Sequence, residues 1–274
     1  MTRYDNLDRP PLHEASLRRA LITRDSLWSQ LDVVDSTGST NADLRAAALT
    51  GAPDGTILIA EQQLTGRGRL GRTWSAPARS ALTFSVLLRP PDALAAPWGW
   101  LPLLAAVAVD DALQRLEVAD TGVKWPNDVM LGERKLAGVL TERVDSSGGL
   151  SVVVGMGINV SLKRQECPTP HATSLSIAGE TTDRDSLIRA VLRALELRYR
   201  QWTTASPQEL RQVYLERSVT LSRAVRVVLP GDEALEGVAV DVDELGRLVV
   251  DDGVQQHALA AADVTHVRPA RDAR

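Results

Sequence analysis

"AEQQLTGRGRLGRTWSAPARSALTFSV" (residues 60–86) decides the fold, because its opening points one way and its continuation another. Gly66, Gly68 and Gly71 satisfy G-x-G-x-x-G at the end of an apolar strand, "GTILIAEQQ" (55–63). A dinucleotide-binding fold needs a helix next, since the helix N-terminus holds the pyrophosphate. The chain instead continues through Pro77 into "ALTFSVLLRP" (81–90), a second strand ended by two prolines. No G-K-[ST] is present either, so a Walker loop is excluded. The stretch reads as strand, glycine–arginine loop, strand, and a dinucleotide-dependent oxidoreductase is disfavoured.

The loop still needs a reason. Gly66, Gly68 and Gly71 lower the steric cost of unusual backbone angles and let amides approach a ligand. Arg67, Arg69 and Arg72 bring guanidinium forks suited to phosphate and carboxylate oxygens. Their mutual repulsion predicts a segment that is mobile until an anion arrives. A solvated basic turn is the other reading, and these residues alone leave the two open.

The whole chain narrows the choice. It has 274 residues, 44% hydrophobic and 24% charged, with a formal net charge of −4. That composition suits a packed core, and the acidic balance argues against general nucleic-acid affinity. Cys167 is the single cysteine, so an intrachain disulfide and a cysteine-rich zinc site are excluded. It has no obvious base beside it in sequence. His13, His171, His257 and His266 are scattered without metal-ligand spacing. The N-terminus lacks a secretory pattern, and "WGWLPLLAAVAV" (98–109) is too short to span a membrane. The expected location is cytoplasmic.

Further along, "HEASLRRAL" predicts an opening helix. "DSTGSTNADLRAAALTG" predicts a capped helix stopped near Gly51, and residues 100–116 a buried one. "SVVVGMGINV" predicts a strand, and "DRDSLIRAVLRALELRYRQW" (183–202) a helix. "SPQELRQVYLER" (206–217) predicts a helix with Ser206 as cap and Pro207 in the first turn. From about 221 the texture changes to alternating Val and Leu with turns at Gly231, Gly246 and Gly253, which predicts a small β-barrel. The expected division is 1–219 and 220–274. The fold class is α+β: a central mixed sheet packed with helices, plus a small C-terminal SH3-like barrel.

"KWPND" (124–128) is the second unusual stretch. Pro126 biases Trp125 toward extended backbone, and Asn-Asp favours a turn. A hairpin can come next, "VML" and "KLAGVL" joined at Gly132-Glu133. Met130 then faces Lys135, which places Lys135 on the sheet face of Asp128 if no bulge intervenes. An ordinary charged surface hairpin is the bland reading.

Together these residues resemble the biotin protein ligases. The likeness rests on "STN" (39–41), "AEQQLTGRGRLGRTW" (60–74), "VKWPND" (123–128), "RKLAGVL" (134–140) and "GMGIN" (155–159), in the family's order and near its spacings. The resemblance implies ATP-dependent activation of biotin to biotinyl-5′-AMP with Mg²⁺. The biotinyl group then passes to a lysine of a biotin carboxyl carrier domain of a carboxylase. It implies a biotin site of Ser39, Thr40, Asn41, Gln63, Gly66, Arg67, Gly68, Arg69, Lys135 and Gly138. It implies an ATP site of Arg69, Arg72, Trp74, Lys124, Asn127, Lys135 and Asn159. Arg67, Arg69 and Lys135 would be catalytic, and Asp128 a metal ligand or a turn residue.

Lys124 and Arg72 would be ligands or supports, Trp125 a packing residue, and Trp98, Trp100 and Trp202 core or interface residues. Only 38 residues precede Ser39, too few for the winged helix-turn-helix of the repressor forms, so no operator binding is expected. Lipoate or octanoate attachment is the nearest rival, and a basic-loop nucleic-acid-binding module is the alternative of another class.

Overall fold

The computed structural model describes residues 8–91, 97–146, 149–204, 207–228, 234–260 and 262–266. The elements run α1 (Glu14–Leu21), β1 (Gln30–Val34), α2 (Thr40–Leu49), β2 (Thr56–Ala60), β3 (Gly66–Arg67), β4 (Thr73–Trp74), β5 (Ala81–Leu88), α3 (Trp100–Arg115), β6 (Thr121–Lys124) and β7 (Asp128–Leu131). They continue with β8 (Arg134–Ser146), β9 (Gly149–Asn159), α4 (Leu175–Ala178), α5 (Arg184–Thr204) and α6 (Pro207–Arg217). Five short strands close the described chain: β10 (Ala224–Val228), β11 (Ala234–Val242), β12 (Leu248–Asp251), β13 (Gln256–Leu259) and β14 (Asp263–His266). Ser206 and Gly231, expected as cap and turn, lie outside the described residues.

Seven strands form the main sheet in the order β1-β2-β5-β9-β8-β7-β6. β1 and β2 are parallel and the other neighbours antiparallel, so the sheet is mixed as expected. Strand alternation gives it two different faces. On one, Leu82, Phe84, Val86, Leu88, Val152, Val154, Met156 and Ile158 join the large core with α3 and α5. α3 is apolar almost all round, so it is buried all round. On the other, α2 lays Leu44 and Ala48 against Leu87, Val144 and Val153, and the sheet beyond is open toward β3 and β4.

The start of the described chain is tied down by buried charge. Arg184 Nη1 lies 2.6 Å from Glu61 Oε2, both side chains almost fully buried. Arg184 Nη2 donates to the Pro10 carbonyl, and Leu12 N donates to Glu61 Oε1. The pair therefore clips the segment before α1 to the end of β2. β2 itself stops at Ala60 rather than at Gln63, one residue before Glu61.

The C-terminal strands form an antiparallel sheet in the order β13-β12-β11-β10-β14. Its β11–β12 turn seats on the main body. Trp100 Nε1 donates to the Glu244 carbonyl at 2.9 Å and Trp125 Nε1 to the Gly246 carbonyl at 3.1 Å. The approach is tight enough that a Cβ on Gly246 would sit 2.8 Å from the Gly99 carbonyl carbon, and Gly246 also has φ +79°. Trp100 and Trp202 are buried and Trp98 packs beside them. No helix among the described residues is long and apolar enough to cross a membrane.

Two stability results are expected. Glu61→Ala strands the Arg184 charge in the core and should cost about 3–5 kcal/mol in urea unfolding, whereas the double Glu61→Met/Arg184→Met variant should cost far less. Equal losses would contradict a buried pair. Burial, then Lys124 and Arg223, push His266 down to about 4 from 6.5. Between those values the unfolded chain holds a proton that the folded chain does not, so stability falls as pH drops through the window. His266→Asn should flatten that acid limb, and an unaltered limb would refute the assignment.

Candidate functional site

Two cross-strand rows explain why a hollow exists where it does. Ser85, Gly155 and Leu140 face one another across β5, β9 and β8. One step along, Thr83, Gly157, Gly138 and Asp128 do the same across four strands. Partners in a row share a face, and this is the face that α2 leaves open. With glycine at 138, 155 and 157 the sheet there is stripped to backbone. The result is a cleft of about 330 Å³.

The arginine segment roofs it. Gly66 pairs with Trp74 and Arg67 with Thr73, and Gly68 N donates to the Arg72 carbonyl at 2.7 Å, so the segment is a hairpin. Leu70 and Gly71 take positive φ at its tip. The Trp74 indole descends onto the bare floor. A Cβ on Gly157 would meet its Cε2 at 2.4 Å, and one on Gly138 its Cζ3 at 3.6 Å. Gly66 allows the hairpin to close, since a Cβ there would lie 2.5 Å from the Trp74 carbonyl oxygen.

The opposite wall comes from the KWPND turn. Trp125 is buried, with its N–H donating to Thr220 Oγ1, and the Trp125–Pro126 peptide is cis. Asn127 Nδ2 donates to the Val139 carbonyl at 2.6 Å and Val139 N to the Asn127 carbonyl at 2.9 Å. Asn127 Oδ1 accepts from Arg69 Nη1 at 3.5 Å, which joins this wall to the roof.

Met130 pairs with Lys135, as the hairpin register predicts, but a bulge does intervene. It lies on β8 at Leu136, beyond Lys135, so Asp128 and Lys135 still share a face. Their charged atoms are 2.6 Å apart. The extra residue also turns Gly138 onto that face, giving Lys135 room: a Cβ at 138 would touch its Nζ at 3.1 Å. The Lys135 backbone is gripped on its other edge, donating to the His171 carbonyl and accepting from Thr173 N.

Ser39, Thr40, Asn41, Gln63, Arg67, Gly68, Arg69, Arg72, Trp74, Lys124, Asn127, Asp128, Lys135 and Gly138 all line the one cleft. Gly66 and Asn159 do not. Asn159 is buried, and its Nδ2 donates to the Thr173 carbonyl, in the segment that brackets Lys135. Ser39 stands at the N-cap of α2 without a capping side-chain bond. Gly155, Gly157, Thr73, Val264 and Thr265 also line the cleft, and sequence reasoning missed them. Glycines two apart in a strand are a usable signal of close approach, while nothing local marks Val264 and Thr265.

Five cations and one carboxylate, Asp128, line the cleft, which suits a ligand with several negative charges. No group of three His, Cys, Asp or Glu side chains is placed to hold a metal among the described residues. One carboxylate together with phosphate oxygens is nevertheless a sufficient set for Mg²⁺, so Asp128 fits that role.

Gly157→Ala should push the Trp74 indole off the floor and loosen the hairpin. Trypsin cleavage after Arg67, Arg69 or Arg72 should then quicken at unchanged global stability; cutting at the original rate would contradict the contact.

Known proteins resemble this chain in sequence and fold. The sequence model of the biotin/lipoate A/B protein ligase family matches residues 32–159, and that of the biotin protein ligase C-terminal domain matches residues 220–267. The chain is 47% identical over 273 residues to the biotin–[acetyl-CoA-carboxylase] ligase of Mycobacterium tuberculosis, covering 98% of this chain and 100% of that protein. It is 34% identical over 232 residues to the bifunctional ligase/repressor BirA of Escherichia coli, covering 82% of this chain and 69% of the other. The solved biotin protein ligase from Aquifex aeolicus in complex with biotin and ATP superposes with a TM-score of 0.75 at 27% identity, covering 88% of this chain and 100% of that one.

Proposed function

The chain belongs to the biotin protein ligases, and from that premise we propose how its own residues carry out the family's reaction. It activates biotin with ATP to biotinyl-5′-AMP and pyrophosphate, and passes the biotinyl group to a carboxylase. The acceptor is a lysine of a biotin carboxyl carrier domain. Attachment of lipoate is not favoured, because a relative 47% identical over nearly the whole chain is named for biotin.

The single observation that carries the reading is the gathering of Arg67, Arg69, Arg72, Lys124 and Lys135 over a floor of bare backbone. In the first step a biotin carboxylate oxygen bonds to the α-phosphorus and the bond to the pyrophosphate oxygen breaks. Two anions must meet, and negative charge grows on the α-phosphate and the departing group. Fixed cations lower both costs, more so once water is excluded. Lys135 lies against the carboxylate and α-phosphate, with Asp128 holding its ammonium in place. Arg67, Gly68 and Arg69 close over the mixed anhydride, while Arg72 and Lys124 meet the outer phosphates. Mg²⁺ bound by Asp128 and the triphosphate would supply further charge neutralisation.

Ser39, Thr40, Asn41 and Gln63 receive the biotin head group at the α2 end of the cleft. Trp74 and Asn127 flank the nucleotide. Asn159, buried against Thr173, supports the Lys135 strand from behind whether or not it also reaches the base. In the second step the carrier's neutral lysine amine attacks the acyl carbon and AMP leaves with the bonding pair. Residues 1–219 form the catalytic unit and 220–274 a small C-terminal unit, a division supported by the change of sheet at β10 and by the separate C-terminal match.

Pyrophosphate release with Mg-ATP should depend on biotin and not on lipoate; release with lipoate alone would overturn the reading. Lys135→Ala should slow adenylate formation roughly 10²–10³-fold, as loss of an oxyanion donor does. Arg69→Gly should let the anhydride escape and label lysines indiscriminately, because the roof no longer shields it from bulk water. A variant with full turnover and intact carrier selectivity would place Arg69 outside the reaction.

A further inference from the structure

A chain of hydrogen bonds runs from the head-group end of the cleft to a carboxylate on β8 that the mechanism does not use. Asn41 Nδ2 lies 2.7 Å from Glu142 Oε2 and 3.2 Å from the Leu140 carbonyl. A carbonyl and an ionised carboxylate can only accept, so the amide must turn its NH₂ to them. Asn41 Oδ1 then faces Ser85 Oγ at 2.6 Å and must accept. Ser85 has one proton and has given it away. Its oxygen also lies 2.6 Å from Thr40 Oγ1, and that contact needs a proton, which Thr40 must supply. Ser85 is fully buried and so has no water to turn to.

With its proton committed, Thr40 Oγ1 presents lone pairs to the cleft that it lines. The hydroxyl proton has a second acceptor in Gln63 Oε1 at 3.0 Å, but Ser85 Oγ is nearer at 2.6 Å, and the Gln63 oxygen is already served by the Thr40 backbone N–H at 2.8 Å. The geometry leaves no freedom for Asn41 to swing aside: a Cβ on Gly155 would lie 2.0 Å from Asn41 Oδ1, so the amide fills the space that a side chain at 155 would need.

We propose that Ser85 is a positioning residue that, with Glu142 and the Leu140 carbonyl holding Asn41 behind it, fixes the polarity of the chain Glu142–Asn41–Ser85–Thr40 and so makes Thr40 an acceptor for an N–H of the ligand. The proposal rests on the biotin reading and deepens it, because a ureido ring carries N–H donors and a dithiolane does not. Glu142 touches no substrate. With the Leu140 carbonyl it holds the Asn41 NH₂, and Ser85 passes that orientation on to Thr40.

The test uses the full-length enzyme with two ligands, biotin and its cyclic carbamate analogue, in which oxygen replaces one ureido N–H. Wild type should prefer biotin by roughly 10–100-fold in kcat/KM for adenylate formation, since the analogue sets lone pair against lone pair. Glu142→Gln keeps an accepting oxygen and the Leu140 carbonyl still holds the Asn41 NH₂, so the deciding variant is Ser85→Ala, which cuts the chain in the middle and frees Thr40 to donate. The preference should then collapse toward unity, with KM for biotin raised, KM for ATP unchanged and kcat at saturating biotin within about threefold.

Ser85→Cys, a poor acceptor, stands in for Ser85→Ala if that variant proves unfolded by its melting temperature. A folded variant that keeps the wild-type preference overturns the proposal. Both carbamate isomers are assayed, and a wild type that discriminates against neither also overturns it. A wild type that makes no adenylate from biotin at all sinks the biotin reading instead, which keeps the two failures apart.

Discussion

Everything at the site rests on one constraint: three positions on one sheet face must carry no side chain. Gly138, Gly155 and Gly157 sit in adjacent cross-strand rows of β8 and β9, and each is already in contact with something that its Cβ would displace. Gly155 yields to Asn41, Gly157 to Trp74, and Gly138 to Lys135. A strand interior gains nothing from glycine in propensity or packing, so the sheet sacrifices local stability for a trough. The rest of the fold restores what the trough gives up, chiefly through the largely apolar α3 beneath it.

The charges are arranged around that emptiness rather than within it. The cationic hairpin spans the open side and meets the KWPND wall at the Arg69–Asn127 contact. Lys135 rises from the floor's edge with Asp128 beside it and with its backbone held on both sides. Gathering five cations would be costly in an otherwise neutral slot. It becomes favourable when triphosphate and carboxylate enter, and cations fixed beforehand need no reorganisation as charge moves to the leaving pyrophosphate.

Much of this is legible in the sequence, for identifiable reasons. The dinucleotide pattern can be rejected because Pro77 and a second apolar strand replace the required helix, and the hairpin register of Lys135 against Met130 comes from the turn at Gly132. Local chemistry writes such features within a few residues. The bulge at Leu136 is not legible, since it answers to packing on both faces of β8. Nor is the hairpin form of 66–74, whose pairing is set by the Trp74 ring finding Gly157 some eighty residues away. Asn159 reads as a ligand because its motif sits beside the floor, and in the fold its Nδ2 also donates to the Thr173 carbonyl. Ser85 and Glu142 look ordinary in sequence, because only the fold stacks them beneath Asn41. Val264 and Thr265 reach the cleft only because the C-terminal sheet docks on the main body, through Trp100 and Trp125 among other contacts.

The most direct measurement is a crystal structure of the enzyme with a non-hydrolysable acyl-sulfamoyl analogue of biotinyl-AMP. The acyl chain should run along the bare backbone of Gly155 and Gly157, with the sulfamoyl group between Arg69 and Lys135 and the hairpin closed above it. An analogue bound elsewhere, or one seated with both cations turned away from it, would contradict the claim that this stripped and positively roofed face is where the two anions are joined.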